Sequence, residues 1–185
     1  MIFGCAGPTL SADERAFFSS TKPWGFILFA RNIVDGSQVR RLTDELRRTV
    51  GDGNAPILID QEGGRVARLK PPNWKARPAA GRFGELFGSS PEVAREAAYL
   101  NARLIAQELV ELGVNANCAP VLDVPVEGAD AVIGDRAFGR EPPQIIELGR
   151  SVIEGFLEGG VLPVMKHVPG HGRAMARTRA PDLPR

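Results

Sequence analysis

Gly160-Val161-Leu162-Pro163-Val164-Met165-Lys166-His167-Val168-Pro169-Gly170-His171-Gly172 reads as an apolar strand that ends in polar side chains and then in a rigid turn. Pro169 lacks an amide donor, and Gly170 and Gly172 favour a turn over a continuing helix. Polar groups at the carboxyl end of a strand are where α/β enzymes hold their ligands. Lys166 and His167 are therefore expected to face a ligand. Consecutive strand residues point to opposite faces, so both reach the same ligand only if the strand bends at its end.

The same alternation runs through the chain. Met1 to Pro8, Gly25 to Ala30, Pro56 to Asp60, Val114 to Val121 and Gly160 to His167 read as strands. Ser11-Ala12-Asp13-Glu14 has capping-box spacing and opens a helix to about Ser19. Ser37 to Val50 carries Val39, Leu42, Leu46 and Val50 on one face. Ser90-Pro91-Glu92 starts the longest helix, which ends near Gly113. Glu141-Pro142-Pro143 opens a last helix with Ile145, Ile146, Leu148, Val152, Ile153 and Phe156 turned inward. Pro71-Pro72-Asn73-Trp74-Lys75 and Gly88-Ser89-Ser90-Pro91 read as loops. Repeated βα units predict an α/β fold with parallel strands and ligand-holding loops at their carboxyl ends.

At 185 residues the chain can form one domain with a substantial core. Its 23 basic residues nearly balance its 22 acidic ones, so there is no electrostatic case for nucleic acid or an anionic membrane. A neutral or small substrate is expected. No apolar run approaches the roughly 20 residues that span a bilayer. Met1-Ile2-Phe3-Gly4 lacks the basic start of a secretory signal, so a cytoplasmic location is expected. Cys5 and Cys118 have no CxxC spacing and read as small core residues in strands, not as a disulfide or metal pair.

Four segments carry a family resemblance: Gly25-Phe26-Ile27-Leu28-Phe29-Ala30-Arg31-Asn32, Ile59-Asp60-Gln61-Glu62-Gly63-Gly64-Arg65-Val66-Ala67-Arg68-Leu69, Ile133-Gly134-Asp135-Arg136-Ala137-Phe138-Gly139 and the run from Met165 to Gly172. In order and spacing they resemble the bacterial β-N-acetylglucosaminidases of glycoside hydrolase family 3, which trim cell-wall muropeptides in the cytoplasm. The resemblance runs from about Phe3 to Gly172. It implies a (β/α)8 TIM barrel, of which this chain supplies about the first five βα units. Residues 1–172 are read as the N-terminal part of that barrel, and 173–185 as a tail foreign to it. Five strands without closure leave two edges of unpaired backbone groups, which predicts marginal solubility or self-association.

Asp60 ends an apolar strand, where a carboxylate can accept two sugar hydroxyls, and the following Gly63-Gly64 permits a tight turn. The resemblance places Asp60 on the outer hydroxyls of the sugar, with Arg68 donating to the same ring. The alternative is a structural ion pair, Asp60–Arg68 or Glu62–Arg65. A strand-end lysine donates to hydroxyl oxygens, and a histidine can donate or accept; the resemblance assigns Lys166 and His167 to substrate binding. It also places Arg136 near the N-acetyl or ring-hydroxyl region, although a guanidinium can equally clamp a loop to carboxylates. Asp135 and Arg140 read as loop-ordering residues, and Asp123 as a residue that fixes its loop. His167 and His171 have zinc-like helical spacing, but Pro169 and Gly170 argue against a helix and no third ligand follows. No metal or organic cofactor is expected, and His171 is read as ordering the turn by bonding to backbone. Trp24 and Trp74 can stack on a sugar face, but read as core or rim packing.

A retaining glycosidase needs a nucleophile and an acid/base. In the resembled family the acid/base is a histidine in an Asp-Ser-His loop soon after the KHxPGHG run. The aligned positions here are Arg177, Thr178 and Arg179. Arginine stays protonated, so Arg179 cannot relay a proton. The family nucleophile is an aspartate beyond the seventh strand, and Asp182 is not a replacement for it. Two explanations of the arginine-rich tail stay open: a reading-frame change after about Ala176, which an intact coding frame on resequencing excludes, or a shortened paralogue. The expected function is that of a β-N-acetylhexosaminidase acting on muropeptides or related β-glycosides in peptidoglycan recycling, with this chain itself inactive. The alternatives are a non-catalytic sugar-binding module and an assembly fragment.

Overall fold

Short parallel strands alternate with helices throughout the computed structural model, which describes residues 1–129 and 131–173. The strands are β1 (Ile2–Phe3), β2 (Gly25–Leu28), β3 (Ile57–Ile59), β4 (Ala116–Asn117) and β5 (Leu162–Pro163). The helices are α1 (Ala12–Thr21), α2 (Gly36–Val50), α3 (Ala80–Ser89), α4 (Pro91–Glu111) and α5 (Pro142–Glu158). Each strand pairs in parallel with the next in chain order, so the sheet runs β1-β2-β3-β4-β5. Among the described residues β1 and β5 are its edges. The α/β class read from the sequence is what is observed; among the described residues a helix follows each of the first four strands, and β5 ends the series.

Local signals explain most element starts. Ser11 caps α1 reciprocally: its Oγ accepts from the Glu14 amide at 3.1 Å and its own amide donates to Glu14 Oε2 at 2.9 Å. Asp35 caps α2 by accepting from the Gln38 amide at 2.8 Å. Proline opens both α4 and α5, where its missing N–H has no helical partner to lose. Phe26, Leu28, Ile57 and Ile59 from the sheet are fully buried with Leu42, Leu46, Ile105, Leu109, Leu148 and Phe156 from the helices. Burying these side chains is the main favourable term for the fold, at about 1.5–3 kcal/mol each before the entropy cost.

Several expectations need correction. Residues 80–89, Gly88 and Ser89 included, form α3 and not a loop. Ile146 is 59% exposed, because it follows Ile145 by about 100° around the helix and both cannot face inward. The strands are shorter than their apolar runs. Past β5, pairing continues only through isolated bonds such as Lys166 N–H to Pro120 O at 3.1 Å and Leu122 N–H to Lys166 O at 2.7 Å. Cys118 is only half-buried, while Cys5 is fully in the core, where burial and the Glu14 carboxylate push its thiol up to about 11. Both cysteines are free. The peptide bonds preceding Pro72, Pro120 and Pro169, and that between Lys166 and His167, are cis. Among the described residues, no helix is long and apolar enough to cross a membrane.

Candidate functional site

The carboxyl ends of β3, β4 and β5 bring together a row of alternating charges. Asp60, one residue past β3, receives Arg68 Nη2 at 3.0 Å on one carboxylate oxygen and Lys166 Nζ at 2.8 Å on the other. Lys166 also stands 2.5 Å from Glu62 Oε1. Glu62 in turn takes both arms of the Arg136 fork, Nε and Nη2, at 2.9 Å each. Arg136 Nη2 lies 3.4 Å from His167 Nε2, and the opposite ring nitrogen, Nδ1, lies 2.5 Å from Asp123 Oδ2. Arg68, Asp60, Lys166, Glu62, Arg136, His167 and Asp123 thus form one connected network.

The local sequence explains why the chain can be held this way. Gly63 and Gly64 adopt positive φ values of 98° and 55°, and the turn packs so closely on residues 77–79 that a Cβ on Gly64 would stand 2.7 Å from the Ala79 Cβ. Arg68 is positioned by a side chain that sequence reasoning passed over. The buried Gln61 carboxamide accepts from the Arg68 and Leu69 amides at 2.8 and 3.0 Å and donates to Leu69 O at 3.1 Å. Gln61 is itself locked to β4, because its amide donates to Asn117 Oδ1 and its carbonyl accepts from Asn117 Nδ2, at 3.0 and 2.9 Å. Neither polar residue is left unsatisfied in the core.

Charge balance holds Asp60 and Asp123 ionised. Burial pushes the Asp60 carboxyl up, but the hydrogen bonds and charges of Lys166 and Arg68 outweigh it and hold the group below the usual aspartate range. Asp123 follows the same pattern. Burial raises it, while His167 and the amides of His171 and Gly172 outweigh that and hold it low. The Glu62 hydrogen bonds raise Arg136 further above its ordinary value. The Lys166–His167 end of the row opens into a cleft of about 470 Å³ that includes Leu122, Asp123 and Gly172, within the size range of small-ligand sites.

Asp60, Arg68, Arg136, Lys166 and His167 are therefore close together. Lys166 and His167 reach one network because they lie beyond the regular strand, where strict alternation of faces no longer applies. The Asp60–Arg68 pair is present, but the Glu62–Arg65 pair is not: Arg65 binds Asp135 at 3.0 Å, tying the loop before Arg136 to the β3 turn. Asp123, read as fixing its own loop, instead bonds across to the turn after β5, at the His171 and Gly172 amides. The bond from His171 to backbone read from the sequence is not found among the described residues: its own backbone amide donates to the Asp123 carboxylate, while its ring stands edge-on to His167 with centroids 5.8 Å apart. Trp24 is exposed at the opposite end of β2, and Trp74 packs against the core. Among the described residues, no three His, Cys, Asp or Glu side chains are grouped to hold a metal. Arg177, Thr178, Arg179 and Asp182 lie outside the described residues.

Residues 9–180 match the N-terminal domain of glycosyl hydrolase family 3. The chain is similar to the beta-hexosaminidase of Alkalilimnicola ehrlichii, 37% identical over 187 residues covering 100% of this chain and 52% of the relative. It is similar also to that of Methylococcus capsulatus, 40% identical over 171 residues covering 92% of this chain and 49% of the relative. Among solved structures, NagZ from Neisseria gonorrhoeae in complex with N-trifluoroacetyl-D-glucosamine superposes with a TM-score of 0.87 at 31% identity, over 94% of this chain and 50% of that one. The chain spans about half the length of the curated relatives it matches.

Proposed function

The chain belongs to glycosyl hydrolase family 3, and from that membership we propose that its charged row binds the terminal N-acetylglucosamine of β-linked glycosides such as muropeptides. Asp60 accepts from the outer hydroxyls, Arg68 and Lys166 donate to the same ring, and Arg136 and His167 meet the N-acetyl side. The observation that carries this reading is the geometry at Asp60, whose two oxygens are each fixed by a different cation at the carboxyl end of β3. Such paired groups are already oriented before a sugar arrives, so binding need not order them. A cytoplasmic role in peptidoglycan recycling accompanies this substrate.

A retaining hydrolysis also needs a nucleophile and an acid/base. By the family resemblance the acid/base position is Arg179, which cannot exchange a proton at neutral pH. These 185 residues alone therefore bind the sugar and do not hydrolyse it. Self-association is a second element of the proposal, supported by the edge position of β5 and the exposure of Leu162 and Met165 beside it.

Purified chain titrated with N-acetylglucosamine tests the reading by amide chemical shifts. Saturable shifts that Asp60→Ala abolishes, with no turnover of an aryl β-N-acetylglucosaminide, are expected. A dispersed spectrum indifferent to the sugar overturns the binding role, and turnover by pure protein overturns the inactivity. Sedimentation across a range of concentrations tests self-association; a mass independent of concentration overturns it.

A further inference from the structure

Asp123 makes three contacts with one carboxylate, and they divide between its two oxygens. Oδ1 accepts from the backbone amides of His171 and Gly172. Among the described residues Oδ2 faces only His167 Nδ1, at 2.5 Å. The Asp123 side chain is 0% exposed, so no water competes for that contact. On the far side of the imidazole, Nε2 faces Arg136 Nη2 at 3.4 Å. An arginine nitrogen only donates, so a proton on Nε2 would set donor against donor.

We infer that Asp123 is a positioning residue for sugar binding, fixing His167 as the Nδ1–H tautomer so that Nε2 offers a lone pair at the Arg136 side of the site. The tautomer follows from the geometry alone; its use on a sugar hydroxyl rests on the function proposed above. With Nδ1 committed to Asp123, His167 works in the cleft as an acceptor. Lys166 and Arg136, members of the same network, supply donors. A site that accepts at one point and donates at its neighbours discriminates between hydroxyl orientations, because a group that meets the wrong partner leaves a polar atom unpaired.

A structural role and a positioning role separate in Asp123→Asn. The Asn oxygen can still accept from the His171 and Gly172 amides, so the turn is kept. The amide nitrogen then faces His167 Nδ1 as a donor, which forces the ring to carry its proton on Nε2. The chain has only two histidines, so the imidazole ¹⁵N spectrum holds two residues, and His171→Gln assigns them. At neutral pH the unsubstituted chain is expected to show an unprotonated Nε2 and a protonated Nδ1 for His167. Asp123→Asn is expected to exchange the two and to weaken N-acetylglucosamine binding by about 10- to 100-fold, while the amide signals of Val168 and of residues 170–172 stay in place.

A His167 protonated on Nε2 in the unsubstituted chain overturns the inference without any variant, even if Asp123→Asn fails to fold. An unchanged tautomer in a folded Asp123→Asn overturns it as well. The predicted exchange in a chain that never binds the sugar upholds the tautomer and places the failure in the proposed function.

Discussion

Lys166 Nζ lies 2.8 Å from Asp60 Oδ1, joining residues 106 positions apart and reaching across the end of β4 from β5 to β3. The same ammonium meets Glu62, so a single side chain neutralises two carboxylates from the β3 turn. The network is therefore a structural clamp as well as the proposed binding surface. Removing the cation leaves two half-buried anions with one partner fewer.

Lys166→Met is expected to destabilise the chain by about 3 kcal/mol, the cost of leaving a buried ion-pair partner uncompensated. For a chain of this size that corresponds to a fall in Tm of roughly 6–12 °C. In a double-mutant cycle with Asp60→Asn the two residues should show a coupling energy of about 1–3 kcal/mol by urea unfolding. Additivity within about 0.5 kcal/mol would show that the pair is a bystander.

Two arginine–carboxylate pairs nearby should respond differently. Glu62 is 7% exposed and holds both Arg136 and Lys166, whereas Asp135 is 55% exposed and holds Arg65. Glu62→Gln is expected to cost about 3 kcal/mol, and Asp135→Asn no more than about 1 kcal/mol. Equal shifts in the urea midpoint would contradict this assignment of burial to energy.

The unequal legibility of these residues has a physical source. Asp60, Lys166 and His167 sit at strand ends, and the strands announce themselves as short apolar runs. Glu62 was visible only as a neighbour of Arg65, because its true partner Arg136 is 74 positions away and nothing local encodes that distance. Gln61 and Asn117 carry no motif at all, and their exchange of hydrogen bonds exists only once β3 and β4 pair.

Helix α3 was hidden for the opposite reason. Gly81, Gly84 and Gly88 are poor helix formers, each costing about 1 kcal/mol relative to alanine in a helix. Gly84 is needed there because a Cβ would overlap the Phe138 carbonyl, so tertiary contact overrides propensity. Ile146 shows the limit of periodicity in the other direction: of two adjacent isoleucines that look equally inward, only Ile145 is buried.

The β3 turn offers a test of backbone constraint separate from charge. Gly64 combines a φ of +55° with a potential Cβ contact of 2.7 Å to Ala79. Gly64→Ala is expected to cost about 1–2 kcal/mol from conformation alone, and more from crowding. Because the turn carries Glu62 and leads to Arg68, the proposed sugar affinity should fall with it. A thermal midpoint unchanged within about 1 °C would show that the turn relaxes freely.

Acid stability follows from the depressed carboxyls. Asp60 and Asp123 are held below their ordinary value of 3.8 in the folded chain. A group that binds its proton more weakly when folded stabilises the fold fully above the unfolded value, and loses that contribution as pH falls through the folded one. Stability from these two residues should thus be constant from neutral pH to about 5, then decline below about 4. Glu14 and Asp35 are also held low, so the acid limb is shared, and only a comparison of variants isolates the site. The urea midpoint of Asp60→Asn should start lower at pH 7 and fall less steeply below pH 4, because the variant has no proton to take up at that position. Parallel acid limbs for the variant and the unsubstituted chain would mean that Asp60 keeps an ordinary affinity for its proton, and the clamp drawn by Lys166 and Arg68 would then contribute nothing to the fold.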